Sequence, residues 1–257
     1  MDRIHADKNP VFFHQFVKVI ATVNSPMKII RWIWRLIWKT ALWFFGLSIG
    51  LVIIYRFVPV PITPLMVIRL VEQAFDPEKD LRLYKDWESI DHISKNAPQA
   101  VVAAEDQKFL EHKGFDFEAM EKAWENNKKG KRIKGASTIT QQTVKNVFLW
   151  PSRSYVRKGL EAYFTVLVEL LWSKERIMEV YLNVIEMGNG IYGIEAAAQT
   201  YYKKPAAKLN RSQAAMIAAV LPNPRRWTPA RPTGYIRGRQ SWIMRQMNNL
   251  EPVGFGI

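Results

Sequence analysis

An uncharged, apolar run near the N-terminus limits the fold more than any other feature. No charged residue lies between Thr40 and Tyr55, and the run extends from Leu36 to Val58 if Lys39 and Arg56 point their charges toward its ends. Roughly 20 apolar residues are enough for a helix that crosses a bilayer. A buried core helix and a cleaved signal peptide are the alternatives. The length, the late start and the lack of a small-residue cleavage site favour a transmembrane helix over residues 36–58.

The flanks of this run predict its orientation. Tryptophans cluster at its N-terminal end, as in an interfacial aromatic belt: Trp32, Trp34, Trp38 and Trp43. Basic residues lie on the same side: Lys18, Lys28, Arg31, Arg35 and Lys39. The positive-inside rule then places the N-terminus in the cytoplasm. We expect a basic cytoplasmic segment at residues 1–35 and an extracytoplasmic domain at residues 59–257.

The charge of the chain indicates an anionic partner. The formal net charge is +14 and the pI is about 9.9, which suits nucleic acid, a phospholipid surface or a phosphorylated substrate. Cysteine is absent, which excludes thiolate nucleophiles, thiolate metal sites and disulfides.

Helical periodicity dominates the rest of the chain and predicts a mainly α domain. Pro59, Pro61 and Pro64 predict an extended strap before it. A basic, glycine-bounded loop at Gly130–Gly135 is expected to move and to close over a ligand. The predicted helices are Ala97–His112, Asp116–Lys128, Thr138–Leu149, Tyr155–Trp172, Lys174–Ile185, Ile194–Tyr202, Ser212–Leu221 and Tyr235–Leu250.

The segment GASTITQQTVKN, residues 135–146, predicts a helix start that binds an anion. Thr138 suits the N-cap, and Gln141 three residues later completes a capping box. Lys145 lies one turn inside the helix, close enough to add a positive charge to the free N–H groups. A surface helix with a polar face is the alternative.

Two carboxylates are candidates for acid–base chemistry. Glu105 follows an apolar turn and shares a helical face with Phe109 and His112, so a raised pKa would suit it as a general base. The alternative for Glu105 is a solvated charge at a helix end. Glu161 follows Arg157 and Lys158 on one helical face, where the alternative is a structural salt bridge. Two carboxylates beside a basic cluster indicate glycosyl or phosphoryl transfer.

Four segments together resemble the successive motifs of the peptidoglycan glycosyltransferases, glycosyltransferase family 51. They are EDQKFLEHKGFD, GASTITQQTVKN, RKGLE and KERIMEVYLNVIEMGNGIYGIEAAAQTYY, and they span Glu105 to Tyr202 in the family's order. The chain ends about fifty residues later, which resembles the monofunctional members without a transpeptidase domain. The resemblance implies a lysozyme-like helical glycosyltransferase domain. It also implies a place in the inner (cytoplasmic) membrane with the catalytic domain in the periplasm.

The resemblance further implies a mechanism and a set of residues. Glu105 would deprotonate the 4-hydroxyl of lipid II, which attacks the growing chain with inversion and releases undecaprenyl pyrophosphate. Glu161 would assist catalysis, either through a divalent cation (Mg or Mn) or by positioning cations. The implied substrate-binding residues are Asp106, Ser137, Gln141, Lys145, Arg153, Arg157 and Lys158. Asn183 and the turn at Gly188–Gly193 would be structural.

The expected partners are lipid II, the growing glycan strand and the bilayer, with cell-division or elongation proteins as further candidates and no nucleic acid. No cofactor other than that cation is expected. A lysozyme-like lytic enzyme would also be helical with one key glutamate, but it needs no pyrophosphate clamp. A membrane-tethered nucleic-acid-binding protein would use the positive charge, but it would not need the paired carboxylates.

Overall fold

The structure is a computed structural model that describes residues 26–76, 80–128, 136–152 and 154–255. The chain divides into two compact units, residues 1–51 and residues 52–257. The described part of the first unit is helical and belongs to α1 (Pro26–Phe57). Within α1, Met27–Phe57 is long and apolar enough to cross a membrane, with a mean hydropathy of 1.8. Such a helix fits a membrane anchor, while the cytoplasmic N-terminus and the boundaries at residues 35 and 58 stay predictions.

The second unit is mainly α, which confirms the predicted fold class. Nine further helices are described in it: α2 (Pro64–Ala74), α3 (Asn96–Glu105), α4 (Phe117–Lys128), α5 (Ile139–Phe148), α6 (Tyr155–Leu171), α7 (Lys174–Val184), α8 (Ile194–Tyr202), α9 (Arg211–Val220) and α10 (Gly234–Asn249). Short 3₁₀ turns lie at Ile90–His92 and Ala206–Lys208.

Helix α2 was not expected, because the prolines before it predicted an extended strap. The hydroxyl of Thr63 accepts a hydrogen bond from the backbone N–H of Met66, so Thr63 is the N-cap and Pro64 occupies the first helical position. Proline is favoured there, since its missing N–H would have no partner in the helix and its fixed φ is helical. The strap prediction is therefore wrong from Pro64 onward.

Helix α3 ends at Glu105, seven residues before the predicted end at His112. The chain leaves the helix at Asp106, where φ is −162° and ψ is 80°. The buried Asp106 carboxylate binds groups on other segments, and this contact outweighs the helical periodicity that continues to His112. Phe109 and His112 therefore lie in a turn, and the predicted face shared with Glu105 is wrong.

A small three-stranded sheet completes the fold with β1 (Tyr84–Lys85), β2 (Glu186–Gly188) and β3 (Ile191–Tyr192). The central strand β3 pairs parallel with β1 and antiparallel with β2. Gly190 between β2 and β3 has φ +71°, and a Cβ there would lie 2.5 Å from the carbonyl oxygen of Arg82, so the turn requires glycine. Asn183 is fully buried and bonds the backbone of Glu88 in both directions, at 2.8 Å each way, as its expected structural role requires.

Small side chains bring three helices close together. The buried residues at the contacts of α3, α9 and α10 are mostly alanines: Ala100, Ala103, Ala214, Ala215, Ala218 and Ala219. Because an alanine extends no further than its methyl group, the backbones of these helices approach closely. This packing places α10 beside the C-terminal end of α3, where Glu105 lies.

The last turns of α1 belong to the second unit and bond directly to Trp172, the residue after α6, and to Arg176 of α7. The indole N–H of Trp172 donates to the carbonyl of Val52 at 2.8 Å. The guanidinium of Arg176 donates to the carbonyls of Tyr55, at 2.9 and 3.1 Å, and of Val58, at 2.7 Å. Of these carbonyls, that of Tyr55 is one of the last four of α1, which have no regular partner within the helix.

Candidate active site

Glu105 is the best-placed general base among the described residues. Its side chain is 16% exposed, and each carboxylate oxygen accepts one hydrogen bond. Oε2 accepts from the amide Nε2 of Gln142 at 3.1 Å, and Oε1 accepts from Nη2 of Arg239, also at 3.1 Å. Burial raises the pKa of Glu105, while Gln142, Arg239 and Lys145 oppose that shift. The predicted raised pKa is confirmed, and a partly enclosed carboxylate with such a pKa suits proton abstraction.

The two donors to Glu105 come from different helices. Gln142 lies on α5, and its amide oxygen accepts a hydrogen bond from the hydroxyl of Tyr181 on α7 at 3.2 Å. Tyr181 is fully buried, so this contact fixes which side of the Gln142 amide faces Glu105. Arg239 lies on α10 and reaches Glu105 because the alanine contacts hold α10 against α3. Glu105 is therefore held from two sides.

Asp106 links two helices, and its expected contact with substrate stays a prediction. Its Oδ2 accepts the backbone N–H of Ile139, the first residue of α5, at 3.0 Å. Nε2 of His112 lies 2.9 and 3.0 Å from the two carboxylate oxygens, and Nδ1 of His112 accepts the N–H of Gly114. His112 therefore carries its proton on Nε2 and donates to Asp106. Asp106 is 6% exposed, so it serves mainly to join the end of α3 to the start of α5.

The start of α5 has the predicted capping box. Thr138 accepts the N–H of Gln141, and the amide oxygen of Gln141 accepts the N–H of Thr138. This bond and its burial turn Gln141 away from the cleft, and the neighbouring Gln142 occupies the position beside Glu105. A sugar or phosphate contact by Gln141 stays a prediction. Ser137 is exposed and lies at the rim of the cavity that Glu105 also lines.

Lys145 points into the cleft without an ion-pair partner within 4 Å among the residues that the structure describes. It is exposed to the cleft, but the surrounding protein removes enough water to lower the pKa of its ammonium group. The negative charge of Glu161 opposes this shift, and the positive charges of Arg157 and Lys158 reinforce it. A cation with no local counter-charge is well suited to bind an anionic ligand.

Glu161 lies inside α6 and is paired with two cations of the same helix. Its Oε2 lies 2.5 Å from Nη1 of Arg157, and its Oε1 bonds Nζ of Lys158. Glu161 is 3% exposed, whereas the Lys158 side chain is 48% exposed. The salt bridge named as an alternative is thus present, and the catalytic role of Glu161 stays a prediction.

The hydrogen-bonded residues Glu105 and Gln142 line two different cavities. A cavity of about 440 Å³ is lined by Glu105, Ser137 and the polar residues of α4, among them Glu118 and Lys122. A second cavity, of about 590 Å³, is lined by Gln142, Lys145 and Arg157. Glu105 therefore lines a polar cavity, and its hydrogen-bond partner Gln142 lines a cationic one.

Two of the predicted site features lie outside the described residues. They are Arg153 and the basic loop at Gly130–Gly135. The described residues contain no group of three or more His, Asp or Glu side chains that fits a metal ion. Because both oxygens of Glu161 already bond cations, they do not fit a divalent cation either, and metal dependence remains a prediction.

Sequence reasoning missed three residues that contact or orient the base: Arg239, Gln142 and Tyr181. Gln142 was within reach, because Gln141 is taken up by the capping box and leaves its neighbour for the cleft. Arg239 and Tyr181 had no local signal, since their roles depend on the packing of α10 and α7.

Comparison with known proteins identifies the family of the chain. Residues 75–248 match the family model described as Transglycosylase. A biosynthetic peptidoglycan transglycosylase of Bdellovibrio bacteriovorus is 59% identical over 209 residues, which cover 81% of this chain and 83% of the relative. Proteins of the same description from Bacteroides thetaiotaomicron and Caulobacter vibrioides are 56% and 57% identical, over 80% and 75% of this chain and 83% and 81% of their own lengths.

Proposed function

The chain belongs to the transglycosylase family and is a glycosyltransferase of peptidoglycan synthesis, and we propose that it polymerises lipid II into β-1,4-linked glycan with release of undecaprenyl pyrophosphate. The observation that carries this proposal is the hydrogen bond that joins Glu105, which lines the polar cavity, to Gln142, which lines the cationic one. In this arrangement one substrate can enter beside the base while the diphosphate of the other lies beside the cations.

The reaction is a single displacement. Glu105 takes the proton of the acceptor's 4-hydroxyl as that oxygen bonds the anomeric carbon of the donor. The bond from the anomeric carbon to the phosphate oxygen breaks, and its electron pair leaves with the diphosphate. Attack from the opposite face converts an α-linked donor into a β-linked product. The base must be ionised to act. Its raised pKa lies closer to the working pH, which makes the carboxylate a stronger proton acceptor.

The cations of the second cavity act on the leaving group. Lys145 has no competing ion pair among the described residues, so its charge is available to the diphosphate. Arg157 contributes a guanidinium, and Glu161 holds it in position together with Lys158. Such fixed charges stabilise the negative charge that develops on the leaving group. Ser137 at the rim of the first cavity would contact the acceptor sugar.

We propose a single-pass protein of the inner membrane with its N-terminus in the cytoplasm. The apolar helix α1 would anchor it, and the catalytic unit would work at the outer surface, where a lipid-linked substrate presents its sugars. Cell-division or elongation proteins are proposed partners.

Incubation of the detergent-solubilised full chain with lipid II, followed by gel separation of the glycan, tests the proposal. We expect polymer with the unaltered chain, and none above background with Glu105→Gln. Parallel reactions with EDTA, with Mg²⁺ and with Mn²⁺ test the divalent cation. Purified murein is the control substrate: fragments from murein and no polymer from lipid II would identify a lytic enzyme and contradict the proposal.

A further inference from the structure

The cationic cavity has an amphiphilic lining. Three cationic side chains line it, those of Arg69, Lys145 and Arg157. Apolar side chains form much of the rest: Leu65, Leu149, Ile185, Leu221, Pro222 and Pro224. A cavity of about 590 Å³ with this lining suits a diphosphate attached to a hydrocarbon chain.

Arg69 enters this cavity from α2, the helix that the sequence did not predict. Its Nη1 bonds Oε2 of Glu72 at 2.6 Å, on the same helix. Its Nε is fully enclosed and has no hydrogen-bond partner among the residues that the structure describes. Buried N–H groups of folded proteins nearly always have an acceptor, so the hydrogen bonds within the described residues leave this guanidinium incompletely satisfied.

Other unmatched groups lie in the same cavity. The described residues contain five enclosed side-chain atoms without a hydrogen-bond partner: Arg69 Nε, Ser152 Oγ, Glu186 Oε1, Tyr192 OH and Arg239 Nε. The first three belong to residues that line this one cavity. Arg69 and Ser152 both offer donors to an anion, beside the ammonium of Lys145.

A structural ion pair between Arg69 and Glu186 is the rival explanation. The nearest approach, from Nε of Arg69 to Oε2 of Glu186, is 3.9 Å, which is too long for a hydrogen bond. Burial also raises the pKa of Glu186, which disfavours its charged form, although Arg69 and Arg225 oppose this shift. The interaction between Arg69 and Glu186 is therefore weak.

We propose that Arg69 is a phosphate-binding residue of this cavity, which holds the diphosphate of an isoprenoid-linked donor together with Ser152, Lys145 and Arg157. This inference rests on the proposed function, because it names a further contact to the same donor. The planar guanidinium can bond two phosphate oxygens at once, and Arg69 already lines the cavity.

Kinetics of the full chain with lipid II, and inhibition by farnesyl diphosphate, test this assignment. Arg69→Gln should raise KM for lipid II about tenfold or more and weaken inhibition by a similar factor, because a charge-assisted contact is lost. Arg69→Lys should recover part of both, since it restores the charge but not the fork. Arg82→Gln is the matched control: Arg82 pairs with Asp80 and lies outside the cavity, and both quantities should be unchanged.

The double variant Arg69→Gln, Glu186→Gln separates binding from structure. A phosphate-binding Arg69 leaves the double variant as defective as Arg69→Gln. If Arg69 only neutralises Glu186, removal of both charges restores the KM of the unaltered chain, and the proposal is wrong. Equal KM and equal farnesyl diphosphate inhibition in Arg69→Gln and the unaltered chain would also overturn it, while polymer formation by the unaltered chain would leave the proposed function intact.

Discussion

Glu105 and Glu161 are both enclosed carboxylates with two side-chain donors each, yet their donors come from different places. Glu105 bonds Gln142 of α5 and Arg239 of α10, which lie 37 and 134 positions away. Glu161 bonds Arg157 and Lys158, four and three positions earlier on its own helix. The hydrogen bonds of Glu105 thus depend on tertiary packing, and those of Glu161 on the spacing of residues along one helix. The proposed roles, proton abstraction by Glu105 and the positioning of cations by Glu161, can be tested through this difference.

The largest expected effect separates the two glutamates by activity. Glu105→Gln should lower the rate of lipid II polymerisation by about 10²-fold to 10⁴-fold, because the base is lost while the shape of the side chain is kept. Its thermal unfolding should change little, since burial already opposes the charge at this position. Initial rates and a melting curve on the same sample measure both quantities. A polymerisation rate equal to that of the unaltered chain would remove Glu105 from the mechanism.

Glu161→Gln should lower the stability more, and the polymerisation rate less, than Glu105→Gln does. The change leaves Arg157 and Lys158 without their partner, and we expect a loss of about 2 kcal/mol in the free energy of unfolding. This lies below the roughly 3–5 kcal/mol of a fully buried pair because Lys158 is half exposed. Denaturant unfolding measures it. Unchanged stability together with a rate as low as that of Glu105→Gln would show that Glu161 takes part in the reaction. The distinction drawn between the two glutamates would then be wrong.

A third test uses the distant donor to Glu105. Arg239 lowers the pKa of Glu105 against the effect of burial, so Arg239→Gln should raise that pKa further. Glu105 acts only when ionised, so the acid limb of the pH profile of kcat/KM should move to higher pH. We also expect kcat/KM near neutral pH to fall about tenfold, because a charge-assisted hydrogen bond is lost. Arg245→Gln, an exposed change on the same helix, is the control and should leave the profile unchanged.

Lys145 responds to both carboxylates and gives a fourth test. Its pKa is lowered by desolvation, and the charge of Glu161 opposes this more than the charge of Glu105. The alkaline limb of the profile should therefore reflect loss of the Lys145 proton. Lys145→Arg should move that limb to higher pH, because arginine stays charged. A limb at the same pH in this variant would assign it to another group.

The smallest effect concerns the orientation of the Gln142 amide. Tyr181→Phe keeps the buried ring and removes only the hydroxyl that bonds Gln142. A lost neutral hydrogen bond predicts a decrease in kcat of about twofold to tenfold, with KM for lipid II little changed. If instead KM rises and kcat does not, Gln142 binds substrate without orienting the base.

These differences explain which parts of the site the sequence can predict. The capping box at Thr138 and the pair of Glu161 with Arg157 follow from spacing on one helix, and both are present. The early end of α3 and the reach of Arg239 depend on contacts between segments far apart in sequence. The helical periodicity predicted that α3 continues to His112, because a periodic pattern contains no information about the partners of Asp106. Two local signals were overlooked: Pro64, a proline after an N-cap threonine, and Gln142, the neighbour of the capping-box residue Gln141.

The bonds from Trp172 and Arg176 to the last carbonyls of α1 have a practical consequence for anyone who prepares a soluble form of this enzyme. A truncation placed at the end of the apolar stretch, after Phe57, would delete the acceptors at Val52 and Tyr55, so Trp172 would lose its bond and Arg176 would keep only its bonds to Val58 and Glu179. A truncation before Val52 removes most of the apolar helix and keeps those acceptors. The last turns of α1 are therefore also the first segment of the second unit.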